Sequence, residues 1–230
     1  MKVFIFINSI NNTEFKKRVI KLVTRAIETE KQKPYIICAD SGMNLAYPEI
    51  IPDILIGDFD SIDPAIFDAV KKNNVKIAEY PKDKDYTDYH LALRHALSAG
   101  GAIDEITVFG GLSGRLDQSL ANLYLSACFS IENRLKISIL EDNTGAYFLN
   151  SHFEVIELND EIFKGDTISL RPLFLKASVE SSEGLKYPLR NDTLYAIETR
   201  GISNEAEGGR VKIKLAGGEL ILIHIKKPHK

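Results

Sequence analysis

Asp58 and Asp60 stand two residues apart, directly after the apolar run Ile54-Leu55-Ile56 and a glycine, in the stretch PDILIGDFDSI (52–62). The run reads as a strand buried on both faces. Residues two apart in extended backbone point to the same side, so the two carboxylates aim together and Phe59 turns back toward the core. Such a pair repels itself unless positive charge sits between its members. A hard cation that takes oxygen ligands, such as Mg²⁺, meets that need. The competing use of aspartate in a loop of this kind is a helix cap. It suits Asp63, because Asp63-Pro64 precedes an apolar helical stretch (65–70) and supplies an N-cap followed by proline at the first helical position. Asp58 and Asp60 come too early for that helix.

Three further groups have side chains for the same chemistry. Asp40 and Ser41 follow a second buried apolar run (35–38), with Gly42 to let the backbone turn. In YPKDKDYTDYHLAL (80–93) a helix over 86–98 presents Asp85 and Asp88 on adjacent turns. Asp85 as N-cap with Asp88 in a capping-box role is one reading. Lys82 and Lys84 favour another, in which alternating Lys and Asp before a helix N-terminus neutralise phosphate and hold metal. The third group is Gly110-Gly111-Leu112-Ser113-Gly114-Arg115-Leu116-Asp117-Gln118. A glycine-rich turn between strand and helix lets backbone N–H groups approach a phosphate, and Arg115 adds a fork for its oxygens. The turn matches neither a Walker A loop nor GxGxxG. Asp142 lies in a turn-like Asp-Asn-Thr-Gly and reads as a turn residue.

These residues need a frame that gathers them. Strands are expected at 3–7, 35–38, 54–56, 76–79 and 105–109. Helices are expected at 13–30, around 44–47, at 65–70, at 86–98 and up to about 129. That alternation predicts an α/β fold with a mostly parallel sheet and helices on both faces. Ligands of such sheets sit beyond the carboxyl ends of the strands, where all the carboxylates above fall. Two more strands follow at 136–140 and 146–149. From about Ser151 helical periodicity disappears and short β-type runs take over. Gly217-Gly218 carries the signal of a hairpin turn between the runs 211–215 and 220–225. The expectation is a catalytic domain over 1–150 and a small all-β, sandwich-like domain over 151–230. A β core of that size is marginal alone, and a partner chain would support it.

Composition excludes several classes. The chain has 230 residues, 44% hydrophobic and 27% charged, as ordinary globular proteins do. A net charge of −3 with no basic stripe argues against a nucleic-acid footprint, and Lys16-Lys17-Arg18 reads as a solvated helix face. No apolar stretch approaches the ~20 residues of a membrane helix, and residues 1–7 read as a first strand rather than a signal peptide. Cys38 and Cys128 have no ligand-like spacing, and the five histidines form no zinc pattern; His90 and His95 read as structural. A cytoplasmic enzyme is the expectation.

The motifs together resemble the thiamin diphosphokinase (thiamin pyrophosphokinase) family, bacterial type. The matching pieces are ADSGMN (39–44), PDILIGDFDSI (52–62), KDYTD (84–88), GGLSGRLDQSLAN (110–122), GLKYPL (184–189) and ISN (202–204). They occur in the family's order and span most of the chain. Departures are Ser41, Ser113, Gln118 and Tyr187, in a chain with no tryptophan. The resemblance implies transfer of the diphosphoryl group of ATP to the hydroxyl of thiamin, leaving AMP. It implies that Asp58, Asp60, Asp85 and Asp88 hold Mg²⁺, with Asp117 beside them to orient the hydroxyl, and that Lys84 and Arg115 meet phosphates. Asp40, Ser41, Gly110 and Gly111 would line the nucleotide site. Ser181, Tyr187, Ser203 and Asn204 would frame thiamin, supplied by the β domain of the other subunit of a homodimer. A diphosphokinase for another hydroxymethyl heterocycle such as a pterin, and a non-catalytic thiamin- or nucleotide-binding module, are the competing readings.

Overall fold

The computed structural model describes residues 1–9, 12–159 and 162–227. In chain order these form β1 (Lys2–Phe6), α1 (Thr13–Thr29), β2 (Tyr35–Ala39), α2 (Gly42–Ala46), β3 (Ile54–Gly57), α3 (Pro64–Lys72), β4 (Lys76–Glu79), α4 (Asp88–Ser98) and β5 (Glu105–Phe109). Next come α5 (Leu116–Asn133), β6 (Lys136–Glu141), β7 (Thr144–Leu149), β8 (Val155–Leu158), β9 (Thr167–Glu183), β10 (Arg190–Tyr195), β11 (Asn204–Glu205) and β12 (Val211–Ile225). The chain separates into two compact units, Met1–Leu125 with Ile139–Asp142, and Ser126–Ser138 with the chain from Asn143 on.

In the first unit β5, β1, β2, β3 and β4 lie side by side in that order, every pair parallel. Their residues alternate between two apolar layers. Phe4, Phe6, Ile36, Cys38 and Leu55 pack with Phe15, Val19 and Val23 of α1, Met43 of α2 and Val70 of α3. The α1 residues recur every three or four positions, which is why that helix buries a single stripe. Asn12 caps it by accepting from the N–H groups of Glu14 and Phe15. The opposite layer, Val3, Ile5, Ile37, Ile54 and Ile56, is buried, and α4 buries Tyr89, Ala92, Leu93 and Ala96; α4 lies against β1, β2 and β3. Helices therefore cover both faces, as the alternation predicts. His95 bonds the Tyr35 hydroxyl at 3.1 Å, a structural role. No described helix is long and apolar enough to cross a membrane.

The second unit is β-rich and antiparallel, with order β10-β9-β12-β7, β11 on β9 and β8 on β12. Residues from both halves of its two long strands, among them Leu170, Val179, Ile213 and Leu222, meet in one apolar cluster.

Two expectations are corrected here. The division at residue 150 follows the change in sequence character. β7, however, pairs with β12 through Thr144–Ile225 and Leu149–Leu220, so it belongs to the β-rich unit. Gly217-Gly218 is no hairpin turn. Both glycines lie inside β12, opposite Ser178 and Ala177, where the register shifts. Gly218 has φ +81°, and a β carbon there would stand 2.6 Å from the Lys176 carbonyl oxygen, so glycine is required by a bulge.

Candidate active site

The carboxyl ends of β2 and β3 bring three aspartates together. Asp40 follows β2 with φ +46° and donates its N–H to the Ile56 carbonyl at 2.8 Å. Gly57 allows that closeness, since a β carbon on it would stand 3.1 Å from the Asp40 Cβ. Beyond it Phe59 takes φ +64°, and its ring lies 5.0 Å from Phe67 of α3 against the core. Phe59 turns inward as expected, although through a left-handed residue rather than a simple pleat. Asp60 donates its N–H to Asp58 Oδ1 at 3.3 Å. One carboxylate oxygen from each of Asp40, Asp58 and Asp60 lies within 4.8 Å of the other two.

Charge around this group is uneven. Lys84, mostly buried, stands 3.3 Å from both Asp58 Oδ2 and Asp88 Oδ1. Lys82 reaches Asp60 at 2.6 Å from solvent, and this hydrogen bond is the main reason the Asp60 carboxyl is pulled below its ordinary value. Asp88 is pushed up, first by burial and then by the nearby Asp40 and Asp58 charges, against the pull of Lys84. The Oδ1 atoms of Asp40 and Asp88 are buried without a hydrogen-bond partner, and that of Asp88 has the Lys84 ammonium 3.3 Å away. Four carboxylates and two ammonium groups with orphaned inner oxygens suit a hard divalent cation.

Asp85 is exposed and bonds to none of these residues. Nor does it cap α4, as one reading had it. The N-cap is Thr87, whose hydroxyl accepts from the His90 N–H at 3.3 Å, which puts Asp88 in the first turn. An aspartate there interacts favourably with the positive end of the helix.

A cleft of about 390 Å³ opens beside the aspartates, lined by Asp40, Ser41, Asp88, Gly111, Arg115 and Asp117 among others. Ser41 starts α2, and its side chain makes no capping bond. Gly110 and Gly111 have φ +100° and +85°. A β carbon on Gly110 would meet the Asn8 carbonyl oxygen at 2.6 Å. Their N–H groups are not free to cradle a phosphate, because they bond the carbonyls of Leu140 and Asn8 at 2.9 and 2.8 Å. What these glycines contribute is a backbone that passes close to β1. Arg115 forks onto Asp117 through Nε at 3.2 Å and a terminal nitrogen at 2.6 Å, both side chains exposed. An incoming anion would therefore compete with Asp117 for the guanidinium.

In the β-rich unit Tyr187 leaves 59% of its surface open rather than packing under its own loop. Its backbone is gripped by buried Asn204, whose Oδ1 accepts the Tyr187 N–H at 3.1 Å while Nδ2 donates to the Tyr187 carbonyl at 2.7 Å. Ser203, at φ +59°, is exposed and donates its N–H to Ser169 Oγ. Ser181 lies half-buried on β9, opposite Arg190 and Lys214, and no bond joins it to the other three.

Residues 27–139 match the family model "Thiamin pyrophosphokinase, catalytic domain", and residues 154–220 match "Thiamin pyrophosphokinase, vitamin B1 binding domain". Thiamine pyrophosphokinase of Bacillus subtilis is 30% identical over 178 residues, covering 76% of this chain and 78% of that protein. The chain belongs to the thiamin pyrophosphokinase family.

Thiamin pyrophosphokinase 1 of Caenorhabditis elegans is 26% identical, over 76% of this chain and 71% of that protein. Among solved structures, thiamine pyrophosphokinase from Bacillus subtilis superimposes with a TM-score of 0.78 at 24% identity, covering 99% of this chain and all of that one. Thiamin pyrophosphokinase from Candida albicans does so at 0.74 and 20% identity, over 98% and 90%. These likenesses establish a thiamin pyrophosphokinase fold. Three residues receive no role from the sequence: Thr87 and Asn122, which line the cleft inside the motifs 84–88 and 110–122, with Asn122 Nδ2 holding the Gly111 carbonyl at 2.9 Å, and Glu141, which holds the glycine turn. Their motifs are the signal for the first two; for Glu141 it is a place at the end of an apolar strand (136–140), which points to the same sheet edge.

Proposed function

We propose that this chain transfers the diphosphoryl group of ATP to the hydroxyl of thiamin, giving thiamin diphosphate and AMP. Membership of the family supports a diphosphotransferase with ATP as donor, and matches to both of its domain models favour thiamin over a pterin and over a non-catalytic module. The observation that carries the reading is the convergence of Asp40, Asp58 and Asp60 with an orphaned buried oxygen on Asp40.

In this reading Asp40, Asp58, Asp60 and Asp88 hold Mg²⁺, and Asp85 serves that group from its exposed position. Bound there, Mg²⁺ would neutralise phosphate charge as it shifts during transfer. Lys84, fixed between Asp58 and Asp88, and Arg115, released from Asp117, meet the phosphate oxygens. Ser41, Gly110 and Gly111 shape the nucleotide wall. The thiamin hydroxyl attacks the β-phosphorus, the bond from that phosphorus to the α,β-bridging oxygen breaks, and the hydroxyl proton is released. Asp117, freed from Arg115, orients the hydroxyl. The exposed Tyr187 ring stacks on the flat, cationic thiamin, with Ser181 and Ser203 beside it and Asn204 holding the tyrosine in place. The chain acts as a cytoplasmic homodimer, the β-rich unit of one subunit completing the thiamin site of the other.

The test is an incubation of protein, Mg²⁺, ATP and thiamin, with nucleotides and thiamin esters separated afterwards. AMP and thiamin diphosphate should appear in equal amounts and only when thiamin is present. Release of ADP or inorganic phosphate without thiamin diphosphate would sink the proposal.

A further inference from the structure

β6 ends on a buried carboxylate to which the proposed reaction assigns no role. Glu141 is 3% exposed, and its oxygens accept from two loops. Ser9 Oγ, after β1, and Ser113 Oγ donate to Oε1 at 2.9 and 2.6 Å, and the Leu112 N–H donates to Oε2 at 2.5 Å. Leu112 and Ser113 are the centre of the glycine turn whose far end carries Arg115. Burying a carboxylate is costly unless hydrogen bonds compensate, and bonds to a charged acceptor are the strong kind. Placing one under a turn therefore holds that turn more firmly than neutral groups would. The turn is held on both sides as well, by Gly110 and Gly111 on neighbouring carbonyls and by Asn122 on the Gly111 carbonyl. Its central N–H and hydroxyl are thereby bonded to Glu141 while Gly111, Ser113 and Arg115 line the cleft.

We propose that Glu141 is a positioning residue for the ATP site: it fixes the glycine turn before ligand arrives, so that the Arg115 fork meets the phosphates in place. The proposal rests on the reading of the cleft as the ATP site. A wall ordered beforehand spares the binding step the entropy of ordering it, so its loss acts on ATP affinity. A residue that only stabilised the fold would lower the active fraction and leave the Michaelis constants alone.

The experiment compares wild type, Glu141→Ala, Glu141→Gln and Ser113→Ala. It reads the Michaelis constants for ATP and thiamin separately and the amide exchange of residues 110–115. In Glu141→Ala, loss of charge-assisted bonds should raise KM for ATP by about tenfold or more and speed Leu112 exchange, leaving KM for thiamin unchanged. Glu141→Gln should recover most of the ATP affinity. Its amide oxygen can take the Leu112 N–H, and its amide nitrogen can donate to serine hydroxyls that turn to accept. Ser113→Ala should raise KM for ATP by about threefold, and by nothing further in the Glu141→Ala background. An unchanged KM for ATP in Glu141→Ala, or an equal rise for both substrates, overturns the proposal. If that variant does not fold, an unchanged KM for ATP in Ser113→Ala overturns it instead. A wild type whose activity does not saturate with ATP would remove the reading of the cleft and this proposal together. Normal wild-type saturation with unaltered variants removes this proposal alone.

Discussion

A carboxylate oxygen that is buried with no hydrogen-bond donor is unstable unless something positive completes it, and Asp40 and Asp88 each present one. Lys84 stands 3.3 Å from Asp58 and from that oxygen of Asp88, but among the described residues no ion pair is made by Asp40. Asp58 is the member shared by the aspartate triad and the Lys84 pair, so it is the one to change. Asp58→Asn should lower turnover by about 10²–10³-fold, the usual loss for one preorganised charge, with the fold intact. Without Mg²⁺ its melting temperature should match or exceed that of the parent, because a like charge has been removed. Mg²⁺ should raise the melting temperature of the parent by mass action and that of the variant much less. Near-normal turnover of purified Asp58→Asn at saturating Mg²⁺ would remove this residue from the site. The pairing of Asp58 with Asp60 is legible from their spacing after an apolar run. The part of Asp40 in the same group is not, because it depends on β2 and β3 lying side by side and on Gly57 having no side chain. Glu141 is less legible still, since its donors lie 28 and 132 residues away in sequence.

The elements that carry these residues are set by caps and bulges of unequal visibility. Asp63 caps α3 by accepting the Ala65 N–H at 2.8 Å, with Pro64 in the first turn, as the dipeptide alone predicts. Asp63→Ala should cost about 0.5–2 kcal/mol of stability in denaturant melts and leave turnover at the parental level. A sharp fall in turnover with unchanged stability would put the edge of the site two residues beyond Ser61, at Asp63. In the β-rich unit Asp166 does comparable work for the ends of two strands. Its carboxylate accepts from His224 at 2.8 Å and from the N–H groups of Phe163 and Lys227, each at 3.0 Å. Burial pushes the Asp166 carboxyl up, but those hydrogen bonds outweigh it, and the group sits below its ordinary 3.8. A carboxyl lowered on folding adds stability above the unfolded value, and that contribution is lost as pH falls through the folded one. Asp166→Asn should therefore lose stability at neutral pH and show a flatter decline than the parent as pH falls through and below the ordinary 3.8, measured by urea unfolding across pH. An unchanged slope would show that Asp166 does not carry this acid dependence. The Phe163 bond is local, but the His224 and Lys227 partners lie at or just past the C-terminal end of β12, about 60 residues on, and no local signal marks them. Gly217-Gly218 was the reverse case, a strong local turn signal overridden by strand pairing on both sides.

At the scale of the whole molecule, the β-rich unit carries surface that a lone chain does not use. Leu175 and Ile197 are 83% and 93% exposed, and the Tyr187 ring stands open although Asn204 spends both ends of its amide to hold it. Tyr187 is held at its backbone, and its ring lies mostly in solvent with the Lys186 ammonium over it at 5.4 Å, which leaves much of its surface open to a flat cationic ligand. If that ligand is thiamin bound at the aspartate cleft of the other subunit, each site depends on two chains. An Asp58→Asn homodimer and a Tyr187→Ala homodimer are then each impaired at both sites. The first loses charge stabilisation, and the second loses a ring contact worth about 0.5–2 kcal/mol. Mixed and allowed to exchange subunits, they form heterodimers in which one site carries both changes and the other carries neither. Free exchange of equal amounts puts half the dimers in that class, so about a quarter of all sites are restored. Measured at low thiamin, where the Tyr187→Ala defect is largest, the mixture should exceed the sum of the separate variants. A pocket built within one chain gives every site in the mixture one change or the other and no gain. Exchange itself is followed by mass spectrometry of differently tagged subunits. With exchange established, activity equal to the sum would place Tyr187 on its own subunit's site and end the shared-pocket proposal.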